Sequence, residues 1–364
     1  VFMTKIYVNP DIEKAETLPA IFYRSNSYFE ELKEKVFVKS WQFVGHKSIL
    51  PININTYPFE FIKNYVEEPL LLVKNKDEKI SCLSNVCTHR ANIIINNKGN
   101  VRDLRCMYHG RKFDLDGKFK SMPEFSLAKE FPRECDDLKE FPIANLGPFI
   151  FVGLEPSFDF ESVCSKINQR ISFLPMDHIE YRPDLSKDYI VNSHWALYCD
   201  NYLEGFHIPF VHNDLNDVLD YEKYDTEIDE YFNLQIGYSK DGDDAVFDFP
   251  KDHPDYNKNI SAYYYWIFPN IMVNVYPWGI SINLIKPINM NKTKVSFLSY
   301  VYDESKLELG AGANLDKVER EDEFVVEGVN KGLKSRYYST GRFSPTMEKG
   351  VHHFHSLLSK SINS

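Results

Sequence analysis

The chain lacks the long apolar runs that span membranes. No stretch approaches the roughly 18 residues a crossing helix needs, and its first residues carry no basic-then-apolar leader pattern. It also lacks a basic excess. Against 42 Lys and Arg stand 53 Asp and Glu, a net charge of -11, so neither nucleic acid nor an anionic membrane surface is an expected partner. Cysteine is scarce, with 6 in 364 residues, too few and too scattered to suggest a disulfide framework. Two stand beside histidines, and Cys82, Cys135, Cys164 and Cys199 lie in apolar or mixed stretches that suit buried free thiols, so a reducing, cytoplasmic setting is expected. What the chain has in quantity is aromatic rings, 23 Tyr and 27 Phe, enough to line a pocket as well as fill cores. Its length predicts about two domains, each able to bury a core.

The two cysteines beside histidines are Cys87, in Cys87-Thr88-His89-Arg90, and Cys106, in Cys106-Met107-Tyr108-His109-Gly110. Four soft-to-borderline ligands brought together on two short loops will bind a metal. A tetrahedral zinc would accept them, but zinc sites usually pair Cys with Cys and His with His along the chain, whereas here each loop carries one of each. The mixed arrangement suits a 2Fe-2S cluster, Cys87 and Cys106 on one iron and His89 and His109 on the other. Neutral imidazoles leave such a cluster less anionic and raise its potential, which defines a Rieske centre.

Around these loops the chain alternates short strand-like runs with Asn, Gly, Pro and Lys-Asp turns. The runs are 41–44, 57–62, 70–74, 80–86, 101–105, 112–114 and 149–154, with a hairpin signal at Asp116-Gly117. Ahead of them, Ser25 as N-cap and Phe29, Leu32, Val36 and Phe37 at helical spacing predict one amphipathic helix over 26–40. Residues 157–185 read as a connecting segment with one short helix. Helical pattern returns at 196–210, an irregular acidic stretch follows over 213–230, and long strands are expected at 232–238, 262–268, 271–276, 280–285 and 295–302. A final helix runs from near Leu315 to about Lys331. The expected division is 1–40 as an N-terminal helix packing on the catalytic domain, 41–156 as a small all-β unit, and 157–364 as an α+β domain whose antiparallel sheet is closed by a long C-terminal helix.

A second metal site is legible in Asn201-Tyr202-Leu203-Glu204-Gly205-Phe206-His207-Ile208-Pro209-Phe210-Val211-His212. On a helix, Glu204 and His207 share a face, while Pro209 interrupts the helix and lets His212 turn back. Two imidazoles so placed need only a carboxylate to complete the facial triad that leaves one side of an Fe(II) open. Asp316, Glu319, Glu321, Asp322 and Glu323 are the distant candidates. Asp322 shares its helix face with Leu315, Val318, Val325, Val326, Val329 and Leu333, whereas Glu321 and Glu323 project to the sides. A carboxylate in an apolar stripe is costly unless paired or metal-bound, which selects Asp322.

With the two Cys-x-His-type loops and the second histidine pair together, the chain resembles the Rieske non-haem iron oxygenases, large-subunit type. Met107 and Arg111 replace the Pro and Trp that the family commonly has in its second loop, which alters loop stiffness and the surface a redox partner would touch. The resemblance implies a Rieske domain joined to a helix-grip (START-like) catalytic domain. It also implies a mononuclear iron held by His207, His212 and an Asp in a C-terminal helix, with electrons from NADH or NADPH delivered through a separate reductase. The family's acidic residue three before the first histidine, here Glu204, links that histidine to a Rieske histidine of the neighbouring subunit, which implies a homotrimer. Asn201 would sit beside the iron.

The stretches 199–207 and 268–276 look most like the branch that includes choline, carnitine and glycine-betaine monooxygenases, which oxidise quaternary amines. A cation that cannot donate hydrogen bonds suits an aromatic cage; Phe206, Tyr263, Tyr265, Trp266, Phe268, Tyr276 and Trp278 offer rings. Strand alternation sets Tyr263 and Tyr265 opposite Tyr264, Trp266 and Phe268, and leaves open which set faces the pocket. The leading expectation is hydroxylation or N-demethylation of a small quaternary or tertiary amine. Aromatic-ring dihydroxylation is the alternative, and a non-catalytic electron-transfer or metal-binding protein a third.

Overall fold

The computed structural model describes residues 5–240, 245–313 and 315–364. Their contacts group Trp41–Glu161 into one compact unit and Val1–Ser40 with Ser162–Ser364 into another.

The Trp41–Glu161 unit is built from antiparallel sheets. One orders Thr56–Ile62, Val66–Lys74, Ile80–Ser84 and Glu140–Phe141; a second pairs Trp41–His46, Phe149–Gly153 and Ile143–Leu146; a small third carries Leu104–Arg105, Lys112–Phe113 and Phe119–Ser121. Leu71, Val73, Leu83, Leu104, Phe113 and Leu138 pack into one buried cluster that also takes in Cys87 and Cys106. The Asp116-Gly117 turn forms as expected, with Gly117 at φ +81°. A Cβ there would meet Leu83 at 3.2 Å, so glycine is needed both for the left-handed backbone and for the fit.

The other unit is organised on a long antiparallel sheet ordered Glu180–Tyr181, Lys292–Val301, Gly279–Asn289, Ile271–Tyr276, Ile260–Ile267, Phe232–Tyr238 and Asp225–Ile228, with Lys187–Val191 also pairing Lys292–Val301. Every residue of Ile271–Tyr276 is buried, so this central strand is covered on both faces. The unit's helices include Trp195–Tyr202, Leu315–Gly332 and Lys349–Asn363.

Several expectations need correction. The helix expected over 26–40 runs as Asn26–Leu32 and widens directly into Lys33–Phe37, ending short of 40, and a separate short helix, Ala20–Arg24, precedes it. Leu315–Gly332 is not the last helix, because Lys349–Asn363 follows it. The stretch 213–230 is not irregular throughout: it holds the helix Asn213–Val218 and the strand Asp225–Ile228. Cys135 is exposed, not buried. Among the described residues all six cysteines are free, and no helix is long and apolar enough to cross a membrane.

Candidate active site

The cluster loops are built alike. In the first, the Cys87 N–H donates to Asn92 O at 2.9 Å and the Ala91 N–H to Cys87 O at 3.0 Å; in the second, Cys106 N–H donates to Arg111 O at 2.9 Å and Gly110 N–H to Cys106 O at 3.0 Å. Both close through a left-handed residue, Ala91 at φ +54° and Gly110 at φ +77°. The shared backbone presents the residue two after Cys87 and the residue three after Cys106, so His89 and His109 meet with ring centroids 4.8 Å apart.

The donors fit a binuclear cluster. Nδ1 of His109 is buried with no hydrogen-bond partner, an orphan that a metal bond would satisfy. Burial works to raise the Cys106 thiol, but the backbone N–H groups of Tyr108 and His109 and the Asn92 amide, 3.6 Å from Sγ, outweigh it and lower the pKa toward the thiolate that iron requires. Cys87 is shifted up by burial. Among the described residues, the one set of three acid, imidazole or thiol donors lying mutually within 4.8 Å is elsewhere, at His207, His212 and Asp322. A single zinc would gather Cys87, His89, Cys106 and His109 to about 4 Å of one another; two irons with bridging sulfides do not.

Arg111 is not on the surface that the sequence suggested. It is 2% exposed, its guanidinium donates to Asp136 Oδ1 at 2.7 Å, and the rings of Phe119 and Phe131 lie 4.9 and 5.4 Å from it. Met107 and Tyr108 are the residues of this loop exposed to solvent.

The second site hangs on the Trp195–Tyr202 helix. It ends at Leu203, and the chain turns through Gly205, where a Cβ would stand 2.7 Å from the Tyr224 ring. Pro209 does not interrupt a helix. The break comes earlier, and Pro209 opens the short helix Ile208–Val211, where its missing N–H costs nothing. Glu204 accepts from the His207 backbone N–H at 3.0 Å and lies 2.7 Å from His207 Nδ1. Across the site, Glu321 Oε2 lies 2.7 Å from His212 Nδ1.

Each imidazole is thus held by an outer carboxylate on Nδ1, which aims both Nε2 atoms at Asp322 Oδ1, 3.5 Å from His207 and 3.0 Å from His212. Burial opposes charge on His212, but Asp322 and Glu321 outweigh it and raise its pKa. Two imidazole nitrogens and one carboxylate converging from one side make a donor set for Fe(II) with open positions. Of the neighbouring acids, Glu323 is spent on Arg320 at 3.1 Å and Asp316 on Lys187 at 2.9 Å. Glu321 carries a role that the helix register did not disclose.

A cavity of about 100 Å³ opens on these donors. Asn201 lines it, as does Tyr276, joined by Tyr198, Tyr202, Tyr224 and Tyr264. The other expected rings lie elsewhere. Tyr263 donates to Asp255 at 2.6 Å and stacks on Phe247, Tyr265 packs by Phe232, and Trp266 donates to Pro269 O and packs on Phe354 with Phe268 beside it. Trp278 stacks behind Tyr276, and Phe206, 41% exposed, faces a separate surface groove. Register explains the choice. Tyr264 pairs Asn274, which also lines the cavity, so that face of Ile260–Ile267 looks inward and Tyr263 and Tyr265 look away. Trp266 shares the inward parity but is covered by the Lys349–Asn363 helix.

Residues 177–363 match the family of ring hydroxylating alpha subunits (catalytic domain), and residues 40–132 match the Rieske [2Fe-2S] domain. The chain is 30% identical to choline monooxygenase, chloroplastic, from Arabidopsis thaliana, over 96% of this chain and 84% of that one. It is 27% identical to the carnitine monooxygenase oxygenase subunit of Escherichia coli (strain K12), over 96% and 94%. Among solved structures, the quaternary ammonium Rieske monooxygenase CntA superposes with a TM-score of 0.77 at 22% identity, covering 97% of this chain and 96% of that one. Naphthalene 1,2-dioxygenase from Rhodococcus sp. superposes with a TM-score of 0.72 at 14% identity, covering 95% and 93%. The paired Cys–His loops and the facing His-His-Asp set thereby acquire a family: the chain belongs to the Rieske non-haem iron oxygenases, oxidoreductases with a 2Fe-2S domain and a non-haem iron catalytic domain that draw electrons from a reductase.

Proposed function

We propose that this oxygenase hydroxylates or N-demethylates a small quaternary or tertiary amine. The observation that carries the reading is the make-up of the cavity beside His207, His212 and Asp322: among the described residues five tyrosine rings and three acidic side chains line it, and no Lys or Arg does. Ring faces and acidic groups attract a cation and give a neutral arene no comparable advantage. The naming of the relatives for choline and carnitine agrees with this.

In this reading Cys87, Cys106, His89 and His109 hold the 2Fe-2S cluster, and His207, His212 and Asp322 hold the iron. When bound, these groups store single electrons and activate dioxygen for insertion into the substrate. The protein's own part is positional. Glu204 and Glu321 fix the tautomers of His207 and His212, Asn201 faces the cavity beside them, and the apolar wall of Ile208, Leu215, Ala311 and Leu315 keeps bulk water away. The same reading includes a homotrimer in which Glu204 links His207 to His109 of the partner subunit, and a cytoplasmic location in keeping with four cysteines that are neither cluster ligands nor disulfide-bonded.

Metal content tests the ligand assignment. Anaerobically purified protein should hold about three irons and two labile sulfides per chain, and His207→Ala about two irons with the sulfide unchanged. Loss of sulfide and visible colour in His207→Ala would show that the two sites had been misassigned.

A further inference from the structure

Of the three carboxylates at the cavity, two already serve the imidazoles. Glu204 directs both oxygens to His207, and Asp322 faces the two imidazoles. Glu319 differs. It is 2% exposed and lines the cavity on the Leu315–Gly332 helix, one turn before Asp322. Its Oε2 accepts the Tyr198 hydroxyl, and its Oε1 is buried with no partner. Among the described residues it makes no ion pair, the neighbouring Arg320 being turned outward to Glu323.

A carboxyl so placed is costly to the fold: burial pushes it well above the usual carboxylate range, with the Tyr198 hydroxyl partly offsetting this, so its charged form is favoured only when a cation stands beside it. A fully apolar residue would pack there without penalty. The unmatched group, on a residue that lines the cavity, therefore points to something that arrives there carrying positive charge. Tyr198 holds the carboxyl in place for it, so the oxygen needs no reorganisation on binding.

We propose that Glu319 is the specificity-determining residue of this site, pairing its free oxygen with the ammonium of the substrate and so selecting cations over neutral molecules of the same shape. The inference rests on the amine reading above and adds to it the group responsible.

The test is calorimetric, on the iron-loaded full chain without oxygen. The probes are choline and tetramethylammonium, with 3,3-dimethylbutan-1-ol as choline's neutral carbon isostere. The wild-type protein should bind choline at least about tenfold more tightly than the isostere. In Glu319→Gln that ratio should collapse toward one through loss of choline affinity alone, while in Glu319→Asp it should be intermediate. If Glu319→Gln unfolds or loses iron, Tyr198→Phe, which frees the carboxyl to swing, should lower the same ratio. An unchanged ratio in the folded variants overturns the role of Glu319 and leaves the amine reading standing. A wild-type protein that binds the isostere and arenes but neither cation overturns both.

Discussion

Glu321 shows how much a single carboxylate outside the metal set can do. Its contact with His212 Nδ1 is the mirror of Glu204 with His207, and outer partners of this kind are worth about 10–100-fold in metal affinity. Glu321→Gln is expected to weaken Fe(II) binding within that range, read by anaerobic titration of the iron-free catalytic site, with cluster absorption unchanged. Ala91 offers a second test. It holds a left-handed backbone where the twin loop has Gly110, so Ala91→Gly should raise stability by up to about 1 kcal/mol, measured by denaturant unfolding. At this scale much was legible. An apolar stripe points to Asp322, which the structure brings beside His207 and His212, and the Cys and His spacing points to the cluster loops. The stripe did not single out Glu319, a turn earlier, whose burial appears only in the fold. It does not reach Glu321, whose partner lies across the fold, nor the choice of Tyr264 over Tyr263, which depends on strand register.

Among elements, the turn after Trp195–Tyr202 and the second cluster loop are the most demanding. Gly205 lies against the Tyr224 ring, so Gly205→Ala should displace the His207 turn and cut mononuclear iron loading while leaving the cluster spectrum intact. The second loop is braced by the buried Arg111–Asp136 pair, with side chains 2% and 11% exposed. Burial works against the Asp136 charge, but the Arg111 guanidinium outweighs it and holds the carboxyl below its ordinary range. That contribution is fully present above the unfolded carboxylate value of about 3.9 and is lost as pH falls through the lower folded value. Asp136→Asn leaves a buried guanidinium unpaired and should cost about 3–5 kcal/mol at neutral pH, a loss that shrinks in acid.

The strands were the easier elements to read, because alternation and turn residues mark them locally. Lys349–Asn363 escaped for a reason visible in its composition. Val351, Phe354, Leu358 and Ile362 repeat at helical spacing, but three Ser and three His between them dilute the signal. Its helical state is secured by packing: His355 lies 2.8 Å from Asp200 Oδ1 and accepts from the Leu18 N–H, contacts no local pattern announces.

For the whole molecule, the division into two compact units explains how the chain carries two metal chemistries with different needs. One unit buries the two thiols in a small β core; the other brings His207, His212 and Asp322 together beside a cavity of tyrosines and carboxylates. Mild chelation should therefore strip the mononuclear iron and spare the cluster. The two-unit plan and its class of chemistry follow from the motifs. The substrate does not, because it is set by which side chains many separate elements turn toward one cavity. The most direct measurement is a single turnover of chemically reduced, iron-replete protein with labelled dioxygen, offered a panel of methylated amines and arenes. The account predicts one labelled oxygen atom in an amine-derived product, or formaldehyde released in step with amine demethylation. Inert amines and an arene cis-diol carrying both oxygen atoms would contradict it.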